Sequence, residues 1–319
     1  MNGLMMGERC RSSFARHETF HPRFGWLKKA YDEANRPGGG TFASADAPVR
    51  LGVGKNMVNA IRYWGLAFKV LQEAPNPERP RVPLIVPSSF GRALLDDEGW
   101  DPYLERPESL WLLHWQLLRR TSQAPTWWVA FNAMSQVAFT ESELQARVSD
   151  LASAAEWSAV VPASIKKDVD CLVRTYTVRG QGRQTLDDVL DCPFRELGLL
   201  ERAGHEDSKW RVAYGAKPTL SSHVVLFASL DYVTQHAPES RAIGVARLAT
   251  DPGGPGRSFG LREVDLYAAL SEATRGRNDL VLTEAGGLRQ LALATDDVAN
   301  TAERVAAQIY DGRLNRLSA

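Results

Sequence analysis

Three cysteines in 319 residues are too few for a disulfide framework, and Cys10, Cys171 and Cys192 sit at no zinc-ligand spacing. That usage fits a reducing cytoplasm. No apolar run reaches the about 18 residues that a membrane-spanning helix needs, so no membrane segment is expected. The opening MNGLMMGERC lacks the apolar stretch of a secretory leader. Nor is there an excess of either charge: 38 Lys and Arg face 38 Asp and Glu. Hydrophobic residues, at 44%, are plentiful enough to build a core without covalent or metal staples.

The neutral total hides an asymmetry. Residues 1–95 carry 14 Lys and Arg against 7 Asp and Glu, and the remainder carries 24 against 31. A basic first third and an acidic remainder point to one end facing a polyanion and another facing a different partner.

Four regions are expected. An N-terminal arm motif spans 1–40, with a short helix from Leu27 to Ala34 closed by the breaker Pro37-Gly38-Gly39-Gly40. A first winged-helix-like domain with buried helices covers 41–138, a second winged helix 139–218, and a C-terminal α+β region 219–319. The fold class is therefore α+β, mainly α-helical, with tandem winged helix-turn-helix units.

The segment Lys55 to Leu71 places Met57, Ile61, Trp64, Phe68 and Leu71 at spacings of 4, 3, 4 and 3. That is the stripe of an amphipathic helix. Lys55, Asn59, Arg62 and Lys69 fall opposite. With Ala47-Pro48-Val49-Arg50-Leu51 and the glycine turn Gly52-Val53-Gly54 before it, the layout is that of a helix-turn-helix. Lys55, Asn56 and Asn59 are then placed to reach base edges, and Arg62 a phosphate. Arg81 to Val86 reads as an edge strand, because its proline cannot donate to a ladder. Pro107 opens a helix, Leu110 to Leu118, apolar nearly all round and hence buried, so Trp111, Trp115, Trp127, Trp128 and Phe131 read as core.

The layout recurs. Thr140 and Glu143 form a capping-box pattern. Ser164 is expected to cap a helix with the apolar stripe Ile165, Val169, Leu172 and Tyr176, and with Lys166, Lys167, Asp170 and Arg174 outside. Strand-like runs around 197–202 and 210–214 flank a turn, completing helix, helix, hairpin. After 219, a helix from Leu261, a hairpin at 280–293 and a last helix from Val298 are compatible with a third, degenerate copy.

Several patterns bear on chemistry. His17-Glu18-Thr19-Phe20-His21 is literally H-E-x-x-H, but a zinc protease needs both histidines on one continuous helix. Pro22 pushes His21 towards an extended conformation, which argues against that activity. Gly52-x-Gly54-Lys55-Asn56 lacks the hydroxyl residue after the lysine that a phosphate-binding loop requires. Asp101 and Glu105 offer either a hard-cation pair or a capped turn.

Three separated runs carry a resemblance: Arg16-His17-Glu18-Thr19-Phe20 through Gly25-Trp26-Leu27-Lys28-Lys29; Leu51-Gly52-Val53-Gly54-Lys55-Asn56-Met57-Val58 with Arg62-Tyr63-Trp64; and Gly99-Trp100-Asp101-Pro102-Tyr103-Leu104-Glu105 with Leu110-Trp111-Leu112-Leu113-His114. Together they resemble the domain-of-unknown-function family four-thousand-and-seven, over nearly the whole chain. The resemblance implies a component of bacterial single-strand DNA phosphorothioation systems. Such a protein would nick double-stranded DNA beside a cysteine desulfurase, an ATPase and an ATP-pyrophosphatase-type sulfur transferase, marking self DNA against phage.

The resemblance carries no catalytic residue across, so the site is inferred from the residues. Phosphodiester hydrolysis is commonly assisted by a divalent ion. His17 and Glu18 are the candidate catalytic pair, and His17, Glu18 and His21 the candidate ligands of magnesium or manganese. Arg16 and Arg23 are placed to hold the phosphate through paired hydrogen bonds. Lys55, Asn56, Asn59, Arg62, Lys166 and Lys167 complete the expected DNA contacts. The alternative is a non-catalytic DNA-binding adaptor that recruits the sulfur-modifying enzymes.

Overall fold

The computed structural model describes residues 2–37, 42–77, 79–158, 160–177, 191–204, 209–295 and 297–311. The fold is mixed α+β and mostly helical, in two compact units. The first comprises Met1–Ala130 with Ala138–Arg211; the second comprises Phe131–Val137 with Val212–Ala319. Residues 1–40 fall in the same unit as 41–130 and 138–211.

In the first unit, helices α1 (Asn2–Arg9), α2 (Trp26–Ala34), α3 (Ala47–Leu51) and α4 (Lys55–Ala67) precede strands β1 (Leu71–Ala74) and β2 (Leu84–Pro87). β1 and β2 pair antiparallel, Leu71 opposite Pro87, in a two-stranded sheet. No third strand joins them among the described residues, so the winged-helix plan expected for 41–138 is not completed there. Helix α4 is itself only partly exposed. Its N-terminal turn is exposed, but from Tyr63 to Phe68 every side chain is buried, Trp64 completely. Lys69, expected on the outer face, turns inward at φ 57° and its ammonium caps the carbonyls of Gln116 (2.7 Å) and Arg119 (3.1 Å). Gly91 in α5 (Ser89–Leu95) lets two backbones touch: a Cβ there would stand 2.0 Å from the Val70 carbonyl oxygen.

Helix α6 (Pro107–Leu118) is buried from Ser109 to Leu118, as its all-round apolar sequence requires. Its entry is shaped by Asp101, whose buried carboxylate accepts from the backbone N–H of Glu105 (3.0 Å) and Arg106 (3.0 Å) and from Ser109 Oγ (2.6 Å). That is the capped-turn reading of Asp101 and Glu105. With α7 (Pro125–Asn132), this region supplies the fully buried Trp111, Trp115, Trp127 and Trp128.

Strand β3 (Phe139–Thr140) leads into α8 (Glu141–Ala154) through the expected capping box of Thr140 and Glu143. Helix α9 (Pro162–Tyr176) starts at Pro162, two residues before Ser164. Proline at the first helical position has no N–H to leave unsatisfied, and no side-chain cap bond forms at Val161. Strands β4 (Leu200–Arg202) and β5 (Lys209–Val212) follow, and the sheet order is β3-β5-β4.

The second unit has the same sheet order with one more helix between the first strand and the hairpin. Helix α10 (Ser222–His236) precedes β6 (Ala242–Gly244), which runs directly into α11 (Val245–Thr250). Then come α12 (Pro255–Phe259), α13 (Glu263–Ala273) and the hairpin β7 (Leu280–Ala285) and β8 (Leu288–Leu293), in sheet order β6-β8-β7. The hairpin turns on Gly286 (φ 58°) and Gly287 (φ 79°), between the paired Ala285 and Leu288. Two successive positive φ values suit the right-handed strand twist and favour glycine. Helix α14 (Val298–Gln308) packs on α10. No described helix is long and apolar enough to cross a membrane.

Candidate nucleic-acid interface

The loop from Ala15 to Phe20 is a chain of turns, with Ala15 (φ 54°), Glu18 (φ 50°) and Thr19 (φ 67°) in left-handed conformations. A β-branched residue such as Thr19 pays a steric cost there, so the surroundings must hold it. The start of the loop is anchored by Asp168 of α9, only 2% exposed. Its Oδ1 accepts from the Ala15 N–H (2.8 Å) and His17 Nε2 (2.8 Å), and its Oδ2 from Thr126 Oγ1 (3.0 Å). The His17 ring stacks on Trp64 (6.0 Å, 18°) and meets Tyr63 and Trp127 edge-on. Trp64 Nε1 donates to the Phe20 carbonyl (3.0 Å).

His17 and His21 are therefore not brought together. His21 Nε2 lies 3.0 Å from Asp191, which also pairs with Arg23 Nε at 3.2 Å. Arg23 lies over the Phe20 and Trp26 rings at 5.8 and 5.5 Å. Glu18 is half-buried and its carboxylate accepts from Asn59 Nδ2 (3.3 Å). The expected ion-binding set of His17, Glu18 and His21 does not assemble, and no group of three His, Cys, Asp or Glu suited to a metal occurs among the described residues. These residues do not fit a built ion site.

The structure instead brings two helix faces to one loop. Asn59 touches Glu18, and helical spacing places Lys55 and Arg62 on the same side of α4. Lys55, Asn56 and Asn59 are exposed and Arg62 half-buried. From α9, Arg174 Nη2 donates to the Thr19 carbonyl (2.7 Å). Asp170 and Lys167 lie four and seven residues before Arg174, on the same side, and Lys166 pairs with Asp170 at 2.9 Å. Lys166, Lys167 and Arg16 are exposed. Asp168, Asp191, Thr126 and Arg174 are the positioning residues missing from the sequence-based site. Asp168 had a legible sign: it falls three residues after Ile165, inside the apolar stripe of α9, where a carboxylate must find donors.

Burial pushes the His21 imidazole down to about 4; Asp191 raises it, and Arg195 and Arg174 lower it further. In the unfolded chain it would titrate near 6.5. His21 therefore contributes stability that is fully present above pH 6.5 and is lost as the pH falls towards 4. Wild type should lose roughly 2 kcal/mol more than His21→Gln across that window. Urea unfolding of both proteins at several pH values checks this, and parallel curves would rule it out.

A profile of the family described as "Protein of unknown function (DUF4007)" matches residues 14–310. A crystal structure of SspB is similar at a TM-score of 0.88, with 42% identity over 96% of this chain and 90% of that one. A magnesium ion-bound crystal structure of SspB is similar at a TM-score of 0.89, with the same identity and coverage. No protein of curated function matches. The chain belongs to the DUF4007 family, together with SspB.

Proposed function

We propose that this protein is a DNA-binding adaptor of a bacterial DNA phosphorothioation system, contacting duplex DNA through its first unit. One observation carries the reading: the loop at 15–20 joins the outer faces of α4 and α9, collecting Arg16, Lys55, Arg62, Lys166 and Lys167 on adjoining elements. The order β3, α8, α9, β4, β5, with sheet order β3-β5-β4, supports a winged helix-turn-helix in which α9 enters the major groove. Phosphate contacts from lysine and arginine supply most of the affinity. The family resemblance supplies the setting, with a cysteine desulfurase, an ATPase and an ATP-pyrophosphatase-type protein as partners in the cytoplasm.

A second reading, strand nicking with magnesium or manganese, is favoured by the magnesium-bound SspB structure. Plasmid relaxation separates the two. The adaptor reading expects salt-dependent duplex binding and no relaxation above background with either ion. Relaxation by wild type that is lost in Glu18→Gln, with DNA binding kept, would replace it by the nicking reading. Absence of duplex binding at low salt would sink both.

A further inference from the structure

Two arginines beside the loop at 15–20 are fixed in place yet keep open donors. Arg23 lies over the Phe20 and Trp26 rings at 5.8 and 5.5 Å. Its buried Nε stands 3.2 Å from Asp191 Oδ2 without hydrogen-bond alignment. Its two terminal nitrogens make no hydrogen bond among the described residues, and its side chain is 35% exposed. Arg174 is held differently. Its Nε donates to the Asp170 carbonyl (3.2 Å) and its Nη2 to the Thr19 carbonyl (2.7 Å). Both acceptors are neutral, and Arg174 forms no ion pair among the described residues.

The two guanidinium groups belong to one cluster. His21 lies 3.0 Å from Asp191, the partner of Arg23, and feels the charge of Arg174. Two cations there meet one carboxylate, because Glu18 bonds to Asn59 and the Asp170 carboxylate to Lys166. Other arginines of the chain are closed by carboxylates: Arg50 by Glu33, Arg262 by Asp265 and Arg277 by Asp279, each at 2.7 Å. A guanidinium oriented by rings and backbone carbonyls instead keeps its charge and its donor fork for a ligand. Two oxygens of a phosphate match that fork. With the side chains already placed, little rotamer freedom is lost on binding. Lys167 lies on the same side of α9, seven residues before Arg174 and about 10 Å along the axis. Positive charge thus runs on from the cluster along the helix, which suits a polymer of phosphates better than a single anion.

We propose that Arg23 and Arg174 clamp one phosphate of the DNA backbone at the C-terminal end of α9, with Asp191 positioning Arg23. The clamp rests on the DNA-binding reading above and adds a fixed contact that sets the register of α9 on the duplex.

The test measures affinity of the full chain for a duplex with 5′-hydroxyl ends, by fluorescence anisotropy over a salt series. Arg23→Ala and Arg174→Ala should each bind about tenfold more weakly, with the salt slope lowered by about one. Arg23→Lys and Arg174→Lys should keep the slope and still bind about fivefold more weakly, because an ammonium carries the charge without the fork. Urea midpoints of the lysine variants, taken without DNA, should match wild type. Full rescue by lysine at both positions overturns the clamp, as does an unchanged slope in both alanine variants. A drop in urea midpoint accompanying every loss of affinity also overturns it, since the arginines would then only brace the loop. Two further arms identify the source of the phosphate. Adding 5′-phosphates to the duplex should change affinity by less than about twofold, and inorganic phosphate should compete no better than chloride at equal ionic strength. A preference for phosphorylated ends or for free phosphate that disappears in the lysine variants would put another ligand in the site and overturn the assignment. Absence of duplex binding by wild type would sink the function proposed above and the clamp with it. A loss confined to Lys166→Glu/Lys167→Glu would keep that function and sink the clamp alone.

Discussion

Asp168→Ala is expected to lower the unfolding free energy by about 3–5 kcal/mol, among the largest losses any single substitution in this chain should cause. The carboxylate is buried and takes three hydrogen bonds, from the Ala15 N–H, His17 and Thr126. Removing it leaves three donors, two of them buried, without an acceptor, each buried one worth about 1–3 kcal/mol, with partial relaxation reducing the sum. The loop then loses the support that holds its left-handed residues, so proteolysis near Arg16 should quicken. Asp168→Asn keeps one acceptor oxygen and should fall between the two. Urea unfolding at constant m-value measures the effect. A loss below about 1 kcal/mol would show that the network braces nothing.

Lys166→Glu/Lys167→Glu should reduce duplex affinity by about 10–100-fold near physiological salt and lower the slope of log affinity against log salt by about two. Both lysines are exposed, so their reversal should leave stability within about 0.5 kcal/mol of wild type. Lys55→Ala and Arg62→Ala should each lower the slope by about one, uniformly across DNA sequences. Fluorescence anisotropy across a salt series reads all of these. Unchanged slope in the double variant would remove α9 from the interface, and unchanged slope in both single variants would remove α4.

Where the sequence was legible, the determinants were local. The apolar stripe of α9, the Thr140–Glu143 capping box, the all-round apolar α6 and the tryptophan core follow from residues within a few turns of one another. The diglycine hairpin at 286–287 is of the same kind. Lys69 shows where such reading fails. Helical spacing puts it on the outer face of α4, but the helix ends at Ala67 and the lysine turns back at positive φ to satisfy carbonyls 47 and 50 residues away. The two histidines are a second case. His17 and His21 are four residues apart in the chain, yet each is claimed by a different carboxylate, Asp168 or Asp191.

The sequence by itself determined the mixed, mainly helical class, most of the long helices, the buried aromatic core and the family. Propensity, capping and hydrophobic period act over a few residues, so they can be read in one dimension. Only the tertiary structure decided which side chains meet: that the loop at 15–20 bridges α4 and α9, that β1 and β2 stay a two-stranded sheet, and that residues 1–40 join the first unit. The contact of the loop with α9 depends on donors and acceptors separated by 150 residues or more, as for His17 and Asp168. A buried carboxylate must find its donors wherever packing places them, and nothing in the local pattern names which ones it will reach.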